Sequence, residues 1–99
     1  MDKKIRIAIC EDNHEYASAI KQIIHALFEQ KGLVGVDFEI DVYYSGEDLI
    51  ISPNQYDIIL QDLDLGIGKM HGFEVARWVN KNYDIQPKII ILTSLIDQA

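Results

Sequence analysis

The chain has few of the features that fix a fold covalently or anchor it to a membrane. One of its 99 residues is a cysteine, Cys10, so no internal disulfide can form. Cys10 closes an apolar run and reads as a small core residue. Basic side chains are scarce: 9 Lys and Arg stand against 16 Asp and Glu, for a net charge of -7. That scarcity argues against a grip on nucleic acid by this segment, which would need clustered Lys and Arg. The acidic excess suits a solvated surface, a bound cation or a basic partner. No apolar run is long enough to span a membrane, and Ile5 to Cys10 is too short for a signal-peptide core. A cytoplasmic location is the resulting default. There is no internal repeat, low-complexity tract or linker, and no Gly-rich turn of the dinucleotide-binding kind after the first apolar run.

What is present is an alternation of short apolar runs with helical stretches. Ile5 to Cys10 reads as a strand. Asp12 is placed to cap the next helix, with Glu15 three residues on as in a capping box. Tyr16, Ile20, Ile23, Ile24, Leu27 and Phe28 recur at helical spacing as one apolar face, and Lys31-Gly32 is a stop. Phe38, Ile40, Val42 and Tyr44 alternate with Glu39, Asp41 and Tyr43, which predicts an edge strand with one wet face. Ser45 with Asp48 starts a short helix that Ser52-Pro53-Asn54 ends. Ile58 to Leu60 form a third strand. Phe73 to Asn82 is a helix with Phe73, Ala76 and Val79 on one side. Lys88 to Thr93 is a fourth strand.

Such alternation predicts an α/β fold with a parallel sheet, doubly wound and flavodoxin-like, in the order 2-1-3-4. The apolar run Ile89 to Leu92 implies that both faces of the fourth strand are covered and that it has a neighbour on each side. Only Ser94 to Ala99 follow it. The expectation is therefore a domain over residues 1–99 from which a fifth strand and the last helices are missing. An uncovered edge of this kind invites a homodimer through the surface beyond the fourth strand, or strand or domain swapping.

Three acids directly follow or close apolar strands: Glu11 and Asp12 after the first, Asp62 at the end of the third. In a parallel α/β sheet, ligands bind beyond the carboxyl ends of strands, where the strand order reverses. The first and third strands flank that point, so the three carboxylates should converge. Clustered carboxylates repel, and one pKa rises unless a cation intervenes. Hard oxygen ligands suit Mg²⁺. A carboxylate beside it can act as a nucleophile toward phosphorus. Thr93, at the end of the neighbouring strand, could offer a hydroxyl to a phosphoryl oxygen. Lys69 reads as a solvated loop lysine and His71 as a turn residue before Gly72. His14 and His25 share no metal-ligand spacing with Cys10.

Four segments in order carry a resemblance. Ile5-Arg6-Ile7-Ala8-Ile9-Cys10-Glu11-Asp12-Asn13 is similar to the opening of a bacterial response-regulator receiver domain. Tyr56 to Asp64 resembles the phosphoacceptor strand of that family. Met70-His71-Gly72-Phe73-Glu74-Val75-Ala76 resembles the turn and helix that follow, and Ile89 to Ser94 the switch strand. The resemblance implies that Asp62 is the phosphoacceptor and that Asp12 binds Mg²⁺, with Glu11 assisting and the backbone carbonyl of Asp64 as a further ligand. Thr93 would be the switch hydroxyl. A sensor histidine kinase would be the donor, and the output would pass to an effector absent from these residues, reaching DNA only through that effector. Glu11-Asp12 and the Leu-Asp-Leu-Asp wording around Asp62 resemble regulators with a LytTR-type DNA-binding domain. The chain departs from the family in three ways. The lysine after the fifth strand has no counterpart, the loop from Leu65 to His71 is longer than usual, and His71 stands where an acid or Asn is frequent.

The resemblance implies a signalling domain rather than an enzyme. Two other readings remain. One is a receiver-like docking module that is not phosphorylated. The other is a phosphatase of the haloacid-dehalogenase type, in which Asp62 is the nucleophile and Asp64 a general acid.

Overall fold

The computed structural model of the protein describes residues 4–32 and 37–92. The elements are β1 (Ile5–Cys10), α1 (His14–Gln30), β2 (Phe38–Tyr43), α2 (Gly46–Ile51), β3 (Ile58–Asp62), α3 (Gly72–Asn82) and β4 (Lys88–Leu92). The four strands form one parallel sheet in the order β2-β1-β3-β4. That is the expected order, and the chain direction across the sheet reverses between β1 and β3.

The register puts Ala8 beside Ile59 and Cys10 beside Gln61. These residues look toward α2 and α3. There Leu49, Tyr56, Leu65, Val75, Val79 and Tyr83 complete a continuous core with Ala8, Cys10 and Ile59. Alternation turns Ile7 and Ile9 to the other face with Ile40 and Val42, their partners on β2. On that side α1 lies over the sheet, with Phe28 and His25 against the Phe38 ring at centroid distances of 4.2 and 5.0 Å.

Several sequence expectations shift at the level of side chains. The α1 cap is Asn13, whose side chain accepts the Tyr16 N–H at 3.0 Å, and not Asp12. In α1 only Ala17 is buried, while Tyr16, Ile23 and Leu27 are exposed. The apolar stripe is wider than the strip of sheet it rests on. In α3 the inward face is Val75 and Val79, and Phe73 points outward. Rotating the helix this way lets Gly72 lie against the backbone that leaves β3.

The wet face expected of β2 is half-buried. Tyr56 O–H donates to Asp41 Oδ2 at 2.7 Å, the Tyr56 and Tyr43 hydroxyls are hydrogen-bonded to each other, and Tyr43 reaches Ser52 Oγ at 2.9 Å. The segment from α2 to Tyr56 folds over this face, so its polar groups find partners within the protein instead of water. Among the described residues β4 has one neighbour, β3, and Ile90 and Ile91 are 46% and 38% exposed. The cover expected over both of its faces is not found among those residues.

Candidate functional site

The carboxyl ends of β1 and β3 meet at the reversal point of the sheet, and three of the predicted acids converge there. One carboxylate oxygen from each of Glu11, Asp12 and Asp62 lies within 4.8 Å of the other two. Glu11 and Asp62 are buried and Asp12 is exposed, so the cluster has a closed floor and an open side. Local backbone chemistry sets this arrangement. Glu11 N–H continues the ladder by donating to Tyr43 O at 2.9 Å. The Glu11 carboxylate accepts the Asn13 N–H at 3.1 Å, which turns the chain out of β1 and into α1. Because Asn13 does the capping, Asp12 is not needed for it.

The electrostatics follow from burial without a counter-ion. Desolvation pushes the Glu11 carboxyl up to about 7, helped by the charge of Asp62 and opposed by the Asn13 N–H. Desolvation raises Asp62 as well. A hydrogen bond from the Glu11 carboxyl and the backbone N–H groups of Asp64 and Leu63 counter that rise. Burial thus favours a proton on this pair of carboxyls. A cation in the cluster would take the place of that proton. Three hard oxygen donors within 4.8 Å of one another fit a divalent ion such as Mg²⁺.

Asp64 begins the loop to α3. It is exposed, and its Oδ1 accepts the Gly66 N–H at 3.2 Å. Gly66 lies beside the pocket: a Cβ built on it would stand 3.9 Å from Asp12 Oδ2. Gly72 closes the loop against β3, its N–H donating to Leu63 O at 2.9 Å. A Cβ on Gly72 would sit 2.2 Å from Asp62 O and 2.7 Å from Leu63 Cα, so the close approach of α3 to the Asp62 backbone requires glycine here.

His71 is the turn residue expected. It caps α3, its Nδ1 accepting the Phe73 N–H at 3.1 Å while Glu74 accepts the His71 N–H at 3.0 Å. His14 stacks on Tyr44 at 3.7 Å. Cys10 is fully buried, and desolvation pushes its thiol up to about 11, which fits the core role read from the sequence. Thr93 lies outside the described residues.

Sequence reasoning missed two polar residues near the site. Gln61, one residue before Asp62, is completely buried and donates from its amide to Asp62 O at 2.9 Å. Glu47, on α2, accepts the Met70 N–H at 3.0 Å. Nothing in their local sequence marks either residue: Gln61 is buried because β3 lies between β1 and β4, and Glu47 finds its partner 23 residues away.

No family model and no curated sequence matches the chain. Solved structures do. It is 29% identical to the signal receiver domain of a LuxO repressor protein from Vibrio parahaemolyticus, with a TM-score of 0.70 over 92% of this chain and 62% of that one. A CheY-like response-regulator receiver domain from Methylobacillus flagellatus aligns with a TM-score of 0.73 at 19% identity, over 98% of this chain and 75% of that one. The non-phosphorylated HemR receiver domain from Leptospira biflexa aligns at 0.66 and 23%, over 91% and 64%. The chain has the receiver-domain fold. It spans less than two thirds of the length of the LuxO and HemR chains. In this receiver fold the acidic cluster occupies the carboxyl end of the sheet, with Asp62 on its floor.

Proposed function

We propose that residues 1–99 form a response-regulator receiver unit in which Asp62 accepts a phosphoryl group from a sensor histidine kinase. The observation that carries this reading is the convergence of Asp62 with Glu11 and Asp12 at the reversal point of a receiver-fold sheet. An Asp62 carboxylate oxygen attacks the phosphorus of a phosphohistidine. The P–N bond breaks, its electron pair leaves with the imidazole, and an acyl phosphate remains on Asp62. The ionised carboxylate of Asp62 is the nucleophile, so its attacking oxygen must be free of a proton.

Asp12, Glu11 and Asp62, with the backbone carbonyl of Asp64, would hold Mg²⁺. When bound, it would supply charge neutralisation for the phosphoryl oxygens. Thr93 would offer its hydroxyl to the new phosphoryl group, and the surface beyond β4 would carry the change to an effector, here proposed to bind DNA. The phosphatase reading has less support, because the Asp64 carboxylate is engaged by the Gly66 N–H.

The test is intact mass after incubation with Mg²⁺ and acetyl phosphate. A single phosphoryl adduct that disappears in Asp62→Asn is the expected result. An unmodified wild-type chain under conditions that modify a known receiver would move the reading to a docking module that is not phosphorylated.

A further inference from the structure

The segment between β3 and α3 has no regular structure and carries two glycines, Gly66 and Gly68, with Ile67 fully exposed between them. Holding such a segment in one shape costs conformational entropy, about 1–2 kcal/mol per residue. Its base is fixed locally, by Gly72 N–H on Leu63 O and by the buried Leu65. Its far end is tied to a different element, through the bond from Met70 N–H to Glu47 Oε2, 23 residues away in sequence. Its near end forms the border of the acidic cluster, through Asp64 and Gly66 beside Asp12 Oδ2.

Glu47 itself is well placed to act as an anchor. Ser45 caps α2 by accepting the Asp48 N–H, and Leu49 pins the helix into the core. Its own backbone N–H and that of Met70 hold the Glu47 carboxyl below its ordinary range, with the Lys69 charge adding to the effect. The bond to Met70 is therefore charge-assisted at neutral pH. The second oxygen, Oε1, is buried and has no hydrogen-bond partner among the described residues. A buried, unsatisfied carboxylate oxygen is costly, and nothing in the fold of α2 alone requires it.

We propose that Glu47 is a positioning residue for the acidic pocket: by accepting the Met70 N–H it holds residues 64–71 as the wall of that pocket beside Asp12. The proposal rests on the reading of the pocket as a Mg²⁺ and phosphoryl site. It predicts that Glu47, which touches neither, sets how well the pocket takes its cation.

The experiment is calorimetric titration with Mg²⁺, together with amide exchange at Met70 and the thermal midpoint, on wild type, Glu47→Gln, Glu47→Ala, Glu47→Asp and the exposed control Asp48→Ala. Glu47→Ala should weaken Mg²⁺ binding by about tenfold, the lower end of what outer partners of metal ligands contribute. It should also unprotect the Met70 amide. Glu47→Gln keeps an acceptor at the same reach and should restore most of the affinity, and renewed protection of the Met70 amide in that variant ties the rescue to the hydrogen bond. Asp48→Ala should match wild type. If Glu47→Ala does not fold, Glu47→Asp decides: one methylene shorter, it should lose the Met70 bond and bind Mg²⁺ as weakly as predicted for Ala. Affinity within twofold of wild type in Ala or Asp, with Met70 unprotected, overturns the proposal. Failure of the underlying reading is distinguishable: wild type itself then takes no Mg²⁺, and the proposal falls with it.

Discussion

Cys10 and Glu11 are consecutive, as are Gln61 and Asp62, yet each pair straddles a boundary between two kinds of environment. On one side lies the core between the sheet and helices α2 and α3, where Cys10, Ile59, Val75 and Val79 are buried among apolar neighbours. On the other lies the acidic pocket, where Glu11 and Asp62 are nearly as buried but face another carboxylate. Burial stabilises the first group and raises the free energy of the second, because the same loss of water helps a methyl group and harms a charge. The fold supports the pocket from the core: Gly72, Leu65 and Leu49 anchor the segments that enclose it. Substitutions in the two regions should therefore change stability in opposite directions.

The largest effect should come from the core. Ile59→Ala removes a side chain 1% exposed and should cost about 3–4 kcal/mol in urea unfolding. Gly72→Ala tests the seam between the regions. The added methyl meets the Asp62 and Leu63 backbone, which cannot swing aside, and should cost about 2–3 kcal/mol. It should also lower the yield of acyl phosphate, since it displaces Asp62. A loss of stability with the adduct yield intact would separate core from pocket more sharply than proposed here.

Asp62→Asn should have the opposite sign. It removes one of the repelling carboxylates and should raise the metal-free stability by about 1 kcal/mol at pH 7.5 while abolishing the adduct. A destabilised Asn variant would mean that backbone N–H bonds to Asp62 outweigh the repulsion.

The pH dependence sharpens the same contrast. In the folded chain Glu11 titrates at about 7, against 4.5 ordinarily, and Asp62 is also raised. Between those values the folded state keeps a proton that the unfolded chain has released. The metal-free stability should therefore fall as pH rises from 4.5 to 7 and level off above that. Saturating Mg²⁺ should flatten the profile, because the cation replaces the proton. Thermal denaturation across the range, with and without Mg²⁺, checks this. The smallest effect should be at the helix face that serves neither region: Leu27→Gln, 47% exposed on α1, should change stability by no more than about 0.5 kcal/mol.

Much of the fold was legible in the residues. Strand positions, the short α2 with its Ser45 cap, the stop at Lys31-Gly32 and the sheet order followed from apolar runs, caps and the rules of parallel α/β sheets. Convergence of Glu11, Asp12 and Asp62 was legible too, because strand order alone brings the ends of β1 and β3 together. Side-chain detail was less so. Asp12 and Asn13 are adjacent and both good caps, so local sequence does not choose between them; the demand for Asp12 at the pocket, met only when β3 arrives, leaves Asn13 to cap. Periodicity marked the apolar residues of α1 and α3 but not which arc of each helix would meet the sheet, since that depends on how closely each helix docks.

Local propensity and hydrophobic period were enough to specify the alternation of elements, the parallel sheet and the three carboxylates at its carboxyl edge. Long-range packing alone raises the Glu11 pKa, closes the polar face of β2 into a tyrosine network and brings Glu47 to the Met70 N–H in the loop beside Asp12. Each of those depends on burial or on a partner far along the chain, and neither has a value until the chain has folded back on itself.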